Sequence, residues 1–203
     1  MTVPSRQTNP FATCWTDPQI APLQIVDEST LEQLTAKLKT ITRGGAIVGP
    51  HGAGKTTLAR RLAERLQQAG WLVEWSELHA GERCPQTLDP PLAGPGRNTM
   101  LVVDGYEQLN CPQRWQVRRN CRRRGARLLV TSHRPTALPT LVRLAPDLNV
   151  ALAIYRQLSR EIPTGVTEED VAKGFTTCGG NLRDLLFHLY DLHELRRRGG
   201  VEK

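Results

Sequence analysis

The 203-residue chain contains no hydrophobic run that approaches the roughly 18 residues needed to cross a bilayer. Its first residues also lack the basic start and apolar core of a secretory signal peptide. These absences argue against a membrane helix and a membrane partner, and they lead us to expect a cytoplasmic protein. The length suits one α/β domain with a small appendage, or two small domains.

Cysteines and aromatic side chains are also scarce. The 5 cysteines are scattered, and none forms a C-x-x-C pair or has zinc-finger spacing with a histidine. We therefore interpret them as reduced thiols. Aromatic residues make up 5% of the chain, and no aromatic-interleaved RNA platform or helix-turn-helix pattern indicates sequence-specific recognition of nucleic acid.

Acidic residues are missing from one basic segment, residues 111–127, although the chain as a whole has 20 of them. The segment carries as many arginines as the net charge of +7, so the rest of the chain is neutral overall. These arginines are Arg114, Arg118, Arg119, Arg122, Arg123, Arg124 and Arg127. Such a local patch is a candidate contact for phosphates or acidic partners.

The spacing of these arginines predicts a helix with one broad positive face. Arg114, Arg118 and Arg122 stand at i, i+4 and i+8, while Trp115 and Cys121 are expected on the buried side. Like charges at this spacing cost a few tenths of a kcal/mol per pair, roughly, unless something offsets them. Three interpretations stay open: a solvated face, a nucleic-acid contact and a contact with an acidic protein.

Apolar runs alternate with amphipathic stretches, which predicts a parallel α/β sheet followed by an all-helical region. The predicted strands are "AIVG", "WLVEW", "TMLVVDG", "RLLVTS" and a short "LPTLVRL". Residues 1–25 are expected to form an irregular lead segment, 26–146 the α/β core and 147–203 a small helical domain. Residues 79–98, rich in proline and glycine, are expected to form a long loop.

Capping residues predict the helix boundaries. Ser29 and Glu32 have the spacing of a capping box, and Gly44 and Gly45 are expected to end the helix that follows. The other boundary signals are Gly70 and Gly125 as stops, Asn110 with Pro112 as a start, and Thr167 with Asp170 as a capping box.

The segment "GPHGAGKT" fits the phosphate-loop pattern G-x-x-x-x-G-K-[ST] at every defined position. An apolar strand precedes it and an amphipathic helix follows, which is the context that the pattern requires. Lys55 is expected to reach the β- and γ-phosphates, and the Thr56 hydroxyl to ligate Mg²⁺. The predicted nucleotide-binding residues are Gly49, Pro50, His51, Gly52, Ala53, Gly54, Lys55, Thr56 and Thr57.

Polar residues follow two later strands. Asp104 ends "LVVD" and is predicted to organise Mg²⁺. Glu107 is the candidate for orienting the attacking water, with a surface glutamate in a turn as the alternative. A hydroxyl at the end of the next strand, from Thr131 or Ser132, is expected to contact the γ-phosphate or that water. No N-K-x-D or T-K-x-D sequence is present, which favours ATP over GTP.

Taken together, "GPHGAGKT", "LVVDGYE", "LLVTSHR" and "GGNLRDLL" resemble the AAA+ division of P-loop ATPases. The resemblance implies a three-layer P-loop NTPase core with a C-terminal helical lid, in which Arg183 senses the γ-phosphate. It also implies oligomers of the chain, and it makes Trp15 a candidate for stacking on adenine. Arg134 and Arg143 lie in the region of an arginine finger, although surface ion pairs are the simpler interpretation of each.

The sequence therefore predicts an AAA+-like protein that binds ATP and hydrolyses it with Mg²⁺, so that a conformational change is driven in, or reported to, a partner. Two alternatives stay open. One is a P-loop kinase that phosphorylates a small molecule. The other is a nucleotide-dependent switch or adaptor without hydrolysis, which Gly105 favours because many P-loop ATPases have an acidic residue immediately after the metal-organising aspartate.

Overall fold

The computed structural model describes residues 9–12, 26–79, 98–160 and 164–199. These residues divide into two compact units, which we call the sheet unit and the helical unit. The sheet unit comprises residues 26–49, 58–79 and 98–144. The helical unit comprises residues 9–12, 50–57, 145–160 and 164–199, so the phosphate loop groups with the C-terminal helices.

The described elements alternate between helix and strand and then become helical. In chain order they are α1 (Glu28–Thr40), β1 (Gly44–Val48), α2 (Lys55–Gln68), β2 (Leu72–Glu77), β3 (Thr99–Asp104), a short 3₁₀ turn (Tyr106–Gln108), α3 (Cys111–Arg123), β4 (Arg127–Ser132), β5 (Thr140–Arg143), α4 (Leu148–Ser159), α5 (Glu168–Thr177) and α6 (Leu182–Gly199). The predicted α/β class, with a helical C-terminal region, is confirmed.

The sheet is parallel and five-stranded, in the order β2-β3-β4-β1-β5. Every residue of β1 and β3 is buried, as the continuous apolar runs predict for strands covered on both faces. Val103 pairs with Val130, and Val48 pairs with Ser132. Because the strands are parallel and in this register, the C-terminal ends of β1, β3 and β4 lie at one edge of the sheet.

The helical unit has a core of its own, built from α4, α5, α6 and the residues around Phe11. Its buried members are Phe11, Ala151, Ile154, Leu158, Val166, Val171, Leu182, Leu185, Leu186 and Leu189. Full burial of a valine, leucine, isoleucine or phenylalanine side chain stabilises the fold by about 1.5–3 kcal/mol. Asn9 fixes the segment beside Phe11, because its amide donates to the Tyr190 carbonyl at 3.2 Å and to Glu194 at 3.0 Å.

Three local predictions are wrong. Asp27, rather than Ser29, is the N-cap of α1, since its carboxylate accepts from the Thr30 N–H at 3.0 Å. Gly44 and Gly45 do not end α1, which already ends at Thr40; they begin β1. A glycine is needed at position 44 because a Cβ there would lie 1.8 Å from the Leu128 carbonyl oxygen.

The third error concerns α3, whose predicted buried side included Trp115 and Cys121. Cys121 is buried with Val117, but 55% of Trp115 is exposed. On a helix Trp115 lies about 160° away from Val117, so the two side chains cannot share the face that packs on the sheet. The stretch contains apolar residues on both faces, and only tertiary packing decides which face is buried.

The remaining helix signals are confirmed. Gly70 and Gly125 both have positive φ, and Asn110 forms a capping box with Gln113 at the start of α3. The Thr167–Asp170 capping box is also present.

Several predictions fall outside the described residues or are not decided by the structure. Trp15, most of the lead segment and residues 80–97 of the predicted loop lie outside them. The domain limits at 25 and 146 stay predictions. Within the described part of the chain, no helix is long and apolar enough to cross a membrane.

Two glycines with positive φ provide a test of the close approach at the start of β1. Gly44→Ala is expected to lower the free energy of unfolding by more than about 4 kcal/mol, because a new Cβ overlaps the Leu128 backbone. Gly70→Ala is the matched control, because Gly70 has a φ of 81° but an added Cβ would meet no heavy atom within 4 Å. The strain of a left-handed alanine backbone alone should cost about 1–2 kcal/mol. Urea unfolding followed by circular dichroism measures both, and equal losses would contradict the proposed overlap.

Candidate nucleotide site

The phosphate loop has the backbone that its glycines predict. Gly52 has φ of 68° and Gly54 has φ of 81°, a left-handed conformation in which glycine carries no steric penalty. Lys55 opens α2 and is buried, with Nζ donating to the Pro50 carbonyl at 2.6 Å. The lysine therefore curls back over the loop, and the first N–H groups of α2 follow directly, an arrangement suited to phosphate oxygens.

Within the helical unit, the start of α6 approaches the phosphate loop closely. A Cβ on Gly52 would lie 1.7 Å from Asn181 Oδ1, so only glycine fits opposite this side chain. Asn181 also caps α6, since its Oδ1 accepts from the Arg183 N–H at 3.0 Å and its amide donates to Asp184 at 2.6 Å. One asparagine thus fixes the helix start and contacts the loop.

Arg183, the predicted γ-phosphate sensor, lies in the first turn of α6. Its side chain is exposed, and no ion pair involving it is present among the described residues. Arg183 stands two residues after Asn181, the residue that contacts the phosphate loop at Gly52. Its role as a sensor stays a prediction.

In the sheet unit, Thr131 connects the ends of β3 and β4. Its hydroxyl donates to Asp104 Oδ1 and accepts from the Gly105 N–H at 3.0 Å. Asp104 and Thr131 are both buried, so the carboxylate is held away from bulk water by a partner that orients it. The Thr131 proton and one of its oxygen lone pairs are used within the protein, which gives Thr131 a positioning role.

The other candidate hydroxyl, Ser132, is also buried at the end of β4. Its Oγ accepts from the Arg134 N–H at 3.2 Å, which leaves its proton for donation elsewhere. Gly49 is attached beside it, because the Gly49 N–H donates to the Ser132 carbonyl at 3.2 Å. A Cβ at Gly49 would lie 2.7 Å from the Leu144 carbonyl oxygen, so this position also requires glycine.

Glu107 lies in the 3₁₀ turn after Asp104, and its two carboxylate oxygens have different surroundings. Oε1 lies 2.7 Å from His133 Nε2. Oε2 is buried and has no hydrogen-bond partner among the residues described. The turn itself is held by Arg114, whose guanidinium donates to the Glu107 carbonyl at 3.0 Å and lies over the Tyr106 ring. Glu107 is therefore an oriented carboxylate with one unused acceptor.

Gly105 explains why no acidic residue follows Asp104 directly. Its φ is 80°, and a Cβ there would lie 2.4 Å from the Leu78 carbonyl oxygen. A glutamate at this position would require the backbone to move. The next acidic residue along the chain after Asp104 is Glu107, in the middle of the tight turn that Gly105 makes possible.

Two of the predicted metal ligands, each taken within its own unit, carry the kind of oxygen that Mg²⁺ binds. Thr56 offers a half-buried hydroxyl, and Asp104 offers a buried carboxylate whose orientation is fixed by Thr131. Hydroxyl and carboxylate oxygens are the hard donors that Mg²⁺ prefers, usually with waters and phosphate oxygens completing the shell.

No protein-family model matches the chain, and no curated protein matches it either. Several solved structures do match the chain. The Orc1 protein of Aeropyrum pernix in complex with DNA is 18% identical, with 84% of this chain and 60% of that chain covered and a TM-score of 0.55. AMPPCP-bound DnaA from Aquifex aeolicus is 14% identical, with 86% and 62% covered and a TM-score of 0.55.

NtrX from Brucella abortus is 15% identical, with 83% of this chain and 49% of that chain covered and a TM-score of 0.56. All three are AAA+ ATPases. The chain shares the P-loop NTPase fold of these structures. It spans about three fifths of the Orc1 and DnaA chains and about half of the NtrX chain. At these identities the likeness concerns the fold, and activity has to be argued from the site.

The structure adds two residues that the sequence does not predict, His133 and Asn181, although each stands inside a quoted motif, "LLVTSHR" or "GGNLRDLL". Their partners, Glu107 and Gly52, lie far away in sequence. No local pattern predicts such a pair. Of the two candidate hydroxyls, that of Thr131 binds Asp104.

Replacing Thr131 by valine tests the connection between β3 and β4. Thr131→Val keeps the side-chain shape but leaves Asp104 and the Gly105 N–H each without this partner, so a loss of about 1–3 kcal/mol in unfolding free energy is expected. Ser132→Ala is the neighbouring control and should cost less than about 1 kcal/mol, since its Oγ serves a single half-exposed backbone amide. Urea denaturation measures both. A control that costs as much as Thr131→Val would remove the special role of Thr131.

Proposed function

We propose that this protein binds ATP and hydrolyses it with Mg²⁺, and that the lid helices transmit the nucleotide state to a partner. The conformation of the phosphate loop carries the proposal: Gly52 and Gly54 are left-handed, and the buried Lys55 folds back over the loop. Loops of this kind aim successive N–H groups at phosphate oxygens. We expect Gly49 to Thr57 to hold the phosphate chain, with Lys55 supplying the positive charge.

For hydrolysis we assign the general-base role to Glu107. Its Oε1 is engaged by His133, while its buried Oε2 remains an acceptor for the proton of an attacking water. Asp104 and Thr56 would hold Mg²⁺, which when bound neutralises charge on the phosphate oxygens. Ser132 retains a proton to donate toward the γ-phosphate or the water, and Arg183 would sense the γ-phosphate from the start of α6.

The relatives in fold support the choice of nucleotide and suggest a kind of partner. The DnaA structure holds AMPPCP, an ATP analogue, and the Orc1 protein is in complex with DNA. We extend ATP binding, an interaction with nucleic acid and assembly into oligomers to this chain as part of the proposal. A cytoplasmic location is likewise kept as a prediction.

A non-hydrolysing switch is the second candidate, and Gly105 favours it. Because a Cβ at this position would overlap the Leu78 carbonyl, the chain has no acidic residue immediately after Asp104. Should Glu107 not act on water, the same loop would bind ATP and release it unchanged. Both candidates predict binding, and they differ in turnover.

Lys55→Ala is expected to weaken ATP binding about 10- to 100-fold, because a charge-assisted contact is worth about 1.5–3 kcal/mol. Lys39→Ala, on the exposed surface of α1, removes the same charge and should leave affinity unchanged. Titration of both variants with a fluorescent ATP analogue and Mg²⁺ measures this. Equal affinity in the two variants would contradict nucleotide binding at the loop.

Glu107→Gln is expected to keep ATP affinity and to reduce turnover at least about 100-fold, the lower range for loss of a general base. Phosphate release is measured with Lys55→Ala as the blank and Glu64→Gln, an exposed change in α2, as the control. Turnover that Glu107→Gln leaves unchanged removes Glu107 from the mechanism. Binding without turnover in the unaltered protein favours the switch, and ATP consumption that requires a small metabolite favours a kinase.

A further inference from the structure

Helix α3 has one face in the core and another that carries charge and an aromatic ring. Val117 and Cys121 are buried against the sheet. Trp115, Arg119, Arg122 and Arg123 lie within ~100° of arc on the other side. We call these residues the Trp115 face. Among them Trp115 is 55% exposed, and the Arg119 guanidinium lies 5.0 Å from its ring centroid.

Not all arginines of the basic segment are available to a partner. Arg114 is engaged by the Glu107 carbonyl and the Tyr106 ring. Arg127 donates to the Ile41 carbonyl at 3.1 Å and lies over Trp71. These two cations therefore have structural roles inside the sheet unit.

The arginines of the Trp115 face have different surroundings from Arg114 and Arg127. In the part of the chain that the structure describes, no carboxylate forms an ion pair with Arg119, Arg122 or Arg123. Arg122 and Arg123 stand in the last turn, where the helix dipole favours a positive charge. The contact of Arg119 with the Trp115 ring follows from their i, i+4 spacing on the helix. Neither this contact nor the helix dipole explains why Trp115 is exposed.

We propose that the Trp115 face binds single-stranded nucleic acid, with Trp115 stacking on a base and Arg119, Arg122 and Arg123 contacting phosphates. A polyanion is the partner that satisfies several arginines without acidic neighbours. An exposed aromatic ring beside guanidinium groups adds a stacking surface, and stacking is available to the unpaired bases of a single strand but not to the bases inside a duplex.

The dimensions of the face suit a short stretch of strand. From Trp115 to Arg123 the helix rises about 12 Å, at 1.5 Å per residue. This length corresponds to about three to four nucleotides at the 3.4 Å rise that one strand has within duplex DNA. The described part of the chain offers no pattern for reading base edges, so the binding is expected to depend weakly on sequence and strongly on salt.

The test measures fluorescence anisotropy of a labelled oligothymidylate, an oligouridylate and a DNA duplex of equal length, at low salt and without ATP. We expect the unaltered protein to bind at least one single strand more tightly than the duplex. With three phosphate contacts, the slope of log affinity against log salt should be about −2. An acidic peptide, oligoglutamate, serves as the non-nucleic polyanion and should bind more weakly than the favoured strand.

Three variants of Trp115 and two arginine variants separate stacking from charge. Trp115→Ala and Trp115→Leu should both weaken single-strand binding about 5- to 100-fold, whereas Trp115→Phe, which keeps a ring, should retain most of it. Arg122→Ala should reduce the salt slope by about 0.7. Arg198→Ala, an exposed arginine of α6 in the other unit, is its control and should leave slope and affinity unchanged.

Three results would overturn the proposal: no binding of either single strand at low salt, equal binding of duplex or oligoglutamate, or unchanged affinity in Trp115→Ala. All variants change exposed side chains, and circular dichroism verifies that they fold. Because the assay contains no ATP, its failure leaves the proposed ATPase activity untouched. Conversely, a failure of Lys55→Ala to affect ATP binding would not alter the result for this face.

Discussion

The candidate site depends on the parallel register that aligns the ends of β3 and β4. With Val103 opposite Val130, the next residues, Asp104 and Thr131, come side by side, and a single hydroxyl then binds both the carboxylate and the Gly105 N–H. The bond fixes the direction in which the chain leaves β3. If the pairing of β3 with β4 shifted by one residue, the side chain of Asp104 would point to the opposite face of the sheet and would no longer meet Thr131.

Features that are encoded by neighbouring residues could be predicted from the sequence. The phosphate loop, the apolar strands and the caps at Gly70, Asn110 and Thr167 all follow from short patterns with a local physical cause. Strand order and the pairing of residues across strands could not be derived in this way. The sheet order β2-β3-β4-β1-β5 is a property of long-range packing.

The errors have a common physical origin, because each local signal competes with a neighbour or with tertiary packing. Ser29 is a good N-cap, but Asp27 stands two residues earlier and binds the Thr30 N–H. Gly44 is typical of a helix end, yet it is required where β1 approaches the Leu128 backbone. Trp115 is apolar, although it lies on the side of α3 that faces away from Val117 and Cys121.

Gly105 and Glu107 are two parts of one arrangement. The left-handed glycine turns the chain sharply after Asp104, and this turn carries Glu107 to His133 while Arg114 holds its carbonyl. A carboxylate placed directly after Asp104 would need the space that the Leu78 carbonyl fills. Moving the acidic group to position 107 allows β2 and β3 to stay paired up to their ends. The turn thus leaves the pairing of β2 and β3 intact and presents a carboxylate whose orientation is fixed. A glutamate in an exposed turn without such contacts would have no fixed orientation.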